Sequence, residues 1–192
     1  MVGEIKRYSV YIMISNTRTL FNNAIGLYTS IPYNHVSIAL KKDLYHLYSF
    51  ARKHPRNPLI GGFVREEIRG RFFSYFPDTK CVILERKVTS AQYSLIKQIL
   101  KEFEEEKEKY KFNFVGVLLL AFNWPVNRTN AYFCSQFVAE VLNRANVPLF
   151  PKCAASVTPK DFWHLIQQNE VNLIYEGALV HYPYHRKSVR VG

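Results

Sequence analysis

Acidic residues are scarce in this chain: 15 Asp and Glu stand against 26 Lys and Arg, a formal net charge of +11. Cysteine is scarcer still, with three residues (Cys81, Cys134 and Cys153), an odd number lacking any CxxC spacing. That excludes a disulfide framework and the usual sulfur-ligated zinc sites, and it points to free thiols in a reducing compartment. No long hydrophobic run is present. The greasiest stretch, residues 112–122, is well short of the ~20 residues a membrane span needs. No secretory signal is visible, because the apolar residues 8–15 are followed by no small-residue cleavage site. A cytoplasmic location is the resulting expectation. Low-complexity tracts, long linkers and solenoid-period repeats are also lacking.

What remains is a 192-residue chain that is 48% hydrophobic and rich in Phe (14) and Tyr (13). A chain of this length buries one good core, so residues 1–192 are expected to form a single domain. The basic residues are scattered, with modest concentrations at Arg52-Lys53-His54-Pro55-Arg56 and in residues 185–190. No helix-turn-helix, zinc-finger or aromatic RNA-platform motif accompanies them, so nucleic acid is not an expected partner. An anionic small-molecule, peptide or lipid substrate, or peripheral membrane contact, fits the charge. Oligomeric state has no signature in the sequence.

The segments alternate in character. Residues 7–14 and 35–40 read as β-branched and aromatic strands, and 45–50 as the partner of the second across a hairpin at Lys41-Lys42-Asp43. Residues 16–28 have helical apolar spacing, ended by Pro32. Further strands are expected at 63–67, 72–76 and 81–88, with Gly61-Gly62 as a turn of positive φ. Thr89-Ser90-Ala91-Gln92 has capping-box form ahead of Tyr93, Ile96, Leu100 and Phe103, and the charged run 104–111 is expected either to continue the helix on its solvated face or to fray from it. Residues 113–121 read as a short buried helix, and the stretch 112–122 could also wall a cleft or dock a lipid tail. Asn127-Arg128-Thr129-Asn130 offers cap-type residues before a helix reaching about Ala145. Thr158-Pro159 begins another helix, and 173–175 and 178–181 read as late strands. The order predicts an α+β fold, an antiparallel sheet packed against helices.

Cys134 opens the helix at Tyr132-Phe133-Cys134-Ser135-Gln136-Phe137-Val138. A thiol there feels the positive end of the helix dipole, which favours the thiolate, and unpaired first-turn amides can hold an oxyanion. The same cysteine shares a helical stripe with Phe137, Val138 and Val141, which on periodicity alone fits an inert core thiol. His35 opens a strand whose neighbours on the same face, Ser37 and Ala39, are small and leave room for another group. If Leu40 faces Leu44 across the hairpin, His35 faces Ser49, which then orients the imidazole; His46, the chemically richer orienter, falls on the opposite face unless the loop slips by one residue. Cys81 and Cys153 lack a basic neighbour in sequence and read as inert.

His35-Val36-Ser37-Ile38-Ala39-Leu40, Leu47-Tyr48-Ser49-Phe50 and Tyr132-Phe133-Cys134-Ser135-Gln136-Phe137-Val138 together resemble a circularly permuted papain-fold enzyme. The groups it is similar to are NlpC-like cysteine hydrolases of the YaeF and YiiX type, related to lecithin:retinol acyltransferase-like proteins. Order carries the resemblance, since histidine precedes cysteine here as in the permuted branch. The resemblance covers roughly residues 7–145 and implies Cys134 as nucleophile and His35 as general base and acid. Ser49 occupies the place of a third residue that is often Glu or His in the family. It implies a thiol hydrolase cleaving an amide, peptide or peptidoglycan-like, with no metal or organic cofactor. Lipid or acyl transfer by the same fold, and a non-catalytic binding module that keeps the fold, are the alternatives.

Overall fold

The computed structural model describes residues 7–16, 32–54, 57–120 and 124–183. Six strands form one antiparallel sheet: β1 (Tyr8–Asn16), β2 (His35–Ala39), β3 (Leu47–His54), β4 (Asn57–Glu66), β5 (Lys80–Val88) and β8 (Asn172–Ala178). Their order across the sheet is β4-β3-β2-β1-β5-β8. A second, two-stranded parallel pair joins β6 (Lys111–Phe112) to β7 (Ala131–Tyr132). The α+β architecture expected from the segment order is the one observed.

Both faces of the sheet are covered, which explains the composition of β1. Val10 to Ile14 are all buried, a continuous run rather than an alternating one. Val10, Ile12 and Ile14 join Val36, Ile38, Phe50, Val82 and Leu84 on one face. On this face lie two helices, α2 (Ser90–Glu105) and α4 (Cys134–Arg144), through Ile96, Ile99, Leu100 and Phe103 of the first and Phe137, Val138, Val141 and Leu142 of the second. Tyr11, Met13, Ala39, Leu47, Cys81 and Ile83 point the other way and meet Ile68, Leu179, Tyr182 and Phe73. Phe73 belongs to a one-turn helix, α1 (Arg71–Ser74), where aromatic content had predicted a strand.

The helix boundaries follow from their caps. Thr89 and Gln92 form a capping box that starts α2, as predicted. Of the two expectations for the charged run, departure from the helix is the one observed: the helix stops at Glu105, residues 107–109 make a 3-10 turn and Lys111–Phe112 pairs as strand. Helix α4 ends at a left-handed residue, Asn146 (φ 57°). There the Val147 amide donates to Leu142 O and the Asn146 amide to Asn143 O, a Schellman closure that satisfies the last carbonyls. Helix α5 (Pro159–His164) starts at a second capping box, Thr158 with Asp161.

Other expectations need correction. Gly61 and Gly62 lie inside β4, where a Cβ would come within 2.8 Å of the Phe112 side chain and 2.9 Å of Tyr110 O respectively. They are glycine for close packing, not for a turn. Helix α3 (Phe114–Leu120) forms, but it is half-exposed rather than buried, with Val115 48% accessible. Residues 179–181 are a 3-10 turn, not a strand. The helix expected at 16–28 falls mostly on 17–31, outside the described residues.

Candidate active site

The site begins with a local failure of strand pairing. Strands β2 and β3 are neighbours, yet the register between them rests on one pair, Ile38↔Tyr48. At Val36 the backbone is served by side chains instead. Ser49 Oγ donates to Val36 O at 2.9 Å, and the Val36 amide lies against the Cys134 sulfur. An antiparallel strand residue presents its N–H and C=O to the same side, so both contacts face the opening between β2 and β3. The start of α4 is fitted there, and that helix packs against both strands.

Helix α4 is delivered to this position from two directions. Strand β7 ends at Tyr132, whose carbonyl accepts from the Asn113 amide at 2.9 Å, and Phe133 is the N-cap. Phe133 supplies no side-chain cap, so the predicted capping role of residues 127–130 does not hold. Those residues instead make a turn closed by a bridge between Arg128 and Ala131. On the far side Ser135 Oγ donates to Val157 O at 2.7 Å. Gln136 Nε2 donates to Asn127 Oδ1 at 3.3 Å, while its Oε1, though buried, has no partner among the described residues.

Cys134 is only 8% exposed. Burial pushes its thiol up, and the backbone amides of Val36, Ser135 and Cys134 itself pull the other way without overcoming it. The helix-start position therefore does not by itself give a resting thiolate. Desolvation outweighs the dipole here.

Ser49 Oγ lies 3.2 Å from His35 Nε2. The hydroxyl has one hydrogen, and its shorter bond, to Val36 O, takes it. His35 Nε2–H must then be the donor to Ser49, which assigns Nδ1 as the basic nitrogen of the neutral ring. The side chain of Ser49 is 1% exposed, so this assignment is held inside the protein.

The route to that contact differs from expectation. Ile38↔Tyr48 sets Ser49 beside Ser37 and diagonal to His35, two residues off the predicted register. An offset of two keeps every side chain on its face, so Ser49 still shares the face of His35. The extra length is taken up in the loop, where Leu44 adopts a left-handed conformation (φ 53°) and is fully buried. His46 precedes β3 and packs its ring against Tyr45 at 4.5 Å and Tyr48 at 6.4 Å. Burial and Arg65 hold its pKa below the ordinary imidazole range.

Two features had no signal in the sequence. One is the Val36 amide at the sulfur, which depends on the gap between strands. The other is a buried polar row: Ser15 pairs across from His35, and Ser37 from Met13. Ser15 and Ser37 are 0% and 2% exposed, and neither hydroxyl has a partner among the described residues. With Ser49 they surround His35 by hydroxyls on one face. Tyr33, two residues before His35, stacks on Trp163 (centroids 5.2 Å apart) and donates to Glu176 Oε1 at 3.3 Å.

The other thiols are set differently. Cys81 is fully buried, and desolvation pushes it up to about 12. Cys153 is exposed, its sulfur 3.0 Å from Ser156 Oγ. Among the described residues no group of three or more His, Cys, Asp or Glu could hold a metal ion. Compared with protein-family models, curated proteins and solved structures, the chain matches none.

Proposed function

We propose that this protein is a thiol-dependent hydrolase on a circularly permuted papain-like fold, cleaving an amide bond, peptide or peptidoglycan-like, through a thioester on Cys134. One observation carries the reading. The first residue of an uncapped helix places its sulfur on the Val36 amide of β2, the residue that follows His35 in the strand, and the His35 Nε2 lies against the buried Ser49 hydroxyl. The order of elements, histidine strand before cysteine helix, supports the permuted form.

The chemistry follows from the proton positions. The resting thiol is neutral, so attack requires His35 Nδ1 to take the S–H proton as the C–S bond forms. The carbonyl electron pair moves to oxygen, where the Cys134 amide, unpaired within the helix, can stabilise it. Collapse breaks the C–N bond, and His35 returns its proton to the leaving amine. Water, deprotonated by His35, then attacks the thioester and releases a carboxylic acid and the thiol. Transfer to another nucleophile would differ only in this last step. A binding module without turnover is the second reading; the raised Cys134 pKa and a hydroxyl where a carboxylate would orient better favour it.

Kinetics separate the two. With any amide or acyl ester found by screening, Cys134→Ser and His35→Ala should each abolish most turnover, and the double variant should cost little more, because the two act as a unit. Full activity in Cys134→Ser would end the thiol-enzyme reading.

A further inference from the structure

Between β6 and β7 the chain makes an excursion that leaves part of its apolar surface, at Val115 and Trp124, exposed. Its base is firmly built. The buried side chain of Asn113 accepts the Gly116 amide at 2.9 Å and reaches Val126 O at 3.5 Å, while the parallel pairing of Lys111–Phe112 with Ala131–Tyr132 closes the neck. A Cβ at Gly116 would come within 2.2 Å of Asn113 Nδ2, so this first turn needs glycine. Beyond it, α3 reads Phe-Val-Gly-Val-Leu-Leu-Leu, with no polar face at all. A helix apolar all round belongs in a core, yet Val115 is 48% exposed and Trp124, tied back by its amide to Leu119 O at 3.0 Å, is 70% exposed.

Within the excursion itself the charge is of one sign, although Glu106 and Glu108 precede it, Glu106 paired to Lys109, and Glu140 follows it. From Lys109 to Ala139 the sequence contains no Asp or Glu, while Lys109, Lys111 and Arg128 flank the neck. Lys111 and Arg128 are exposed and make no ion pair with an acid among the described residues. At seven residues the helix is about 10 Å long, enough to enter the interface of a bilayer and far too short to cross it. We propose that α3 and Trp124 insert into the surface of an anionic phospholipid bilayer, with Lys111 and Arg128 at its head groups. An apolar wedge with a tryptophan and flanking cations is the combination such an interface favours. A protein partner would more often require some polar complement on the displayed face. The neck is bonded to the segment entering α4, so docking would hold Cys134 near the lipid surface. The inference does not depend on whether Cys134 is catalytic.

The chain has two tryptophans, so Trp163→Phe leaves Trp124 as sole emitter. The full chain is mixed with vesicles of 70% phosphatidylcholine and 30% phosphatidylglycerol, or of phosphatidylcholine alone, at low and at physiological salt. The expected result is co-sedimentation with the anionic vesicles, weaker at higher salt. A blue shift of Trp124 emission and protection from acrylamide should accompany it. Trp124→Ala should weaken binding by about tenfold, on the area the indole would bury. Lys111→Gln and Arg128→Gln should each cost about fivefold, about 1 kcal/mol per cation. These side chains are exposed, so the variants should fold. No binding to the anionic vesicles at low salt, binding unchanged in Trp124→Ala, or binding with Trp124 still fully quenched would each overturn the proposal.

Discussion

Replacing Ser49 by alanine tests the bridge on which the candidate site is built. The hydroxyl donates to Val36 O at 2.9 Å and lies 3.2 Å from His35 Nε2, and the side chain is 1% exposed. Alanine leaves a buried carbonyl without a donor where no strand pairing can replace it. A buried polar group so orphaned costs about 1–3 kcal/mol, and the second partner is a half-buried ring nitrogen. The expected destabilisation is therefore about 2 kcal/mol, or a fall in Tm of roughly 4–8 °C for a chain of this size. Urea unfolding followed by circular dichroism reads the first quantity, with an unchanged m-value if the native state stays compact. Imidazole nitrogen chemical shifts read the second consequence: in the parent the neutral ring should carry its proton on Nε2, and in Ser49→Ala that preference should weaken. Activity on a screened substrate should fall, though less than on loss of Cys134 or His35. A destabilisation below about 0.5 kcal/mol with an unchanged tautomer would refute the bridge.

Phe103 is fully buried among Phe50, Phe63, Tyr110, Tyr132 and Phe137, with ring centroids 4.6–6.1 Å away. Phe103→Ala should cost about 3–5 kcal/mol in the same unfolding assay, and a loss below about 1 kcal/mol would mean the cluster is not the core. Glu85 gives a pH test. Burial alone would raise its carboxyl, but bonds from Lys87, Ser9 and Asn172 outweigh that and hold it down to about 2. With the folded pKa below the unfolded one, its stabilisation is present above about pH 4.5 and is lost as pH falls toward 2, by at most about 3 kcal/mol. Glu85→Gln should flatten the acid limb of the Tm-against-pH curve by that share; parallel curves for the two proteins would contradict it.

The elements most legible in the sequence were those with a local cause. Thr89 and Gln92 marked the start of α2, Thr158 and Pro159 that of α5, and the β-branched and aromatic run at 7–14 marked a strand. What stayed hidden depended on chain distant in sequence. The Phe72–Phe76 stretch has strand composition, but only Phe73 reaches the core, from a single helical turn. Gly61 and Gly62 look like a turn until Phe112 and Tyr110 are laid against them. The hairpin register missed by two because Leu44, a residue that rarely takes positive φ, turns left-handed there. Cys134, His35 and Ser49 could be picked out by type and order. The Val36 amide that meets the sulfur, the hydroxyls of Ser15 and Ser37, and the burial that raises the thiol pKa had no local signature.

Trapping the acyl group tests the central claim most directly. An activated acyl ester is mixed with folded protein near neutral pH, quenched in acid within seconds, and the adduct is located by mass spectrometry of the fragments. The account predicts a thioester on Cys134, formed at the same rate in Cys81→Ala and Cys153→Ala. It should form at least tenfold more slowly in His35→Ala, since the neutral thiol then lacks its base. Acylation of Cys153 instead, or of Cys134 at an undiminished rate without His35, would contradict it.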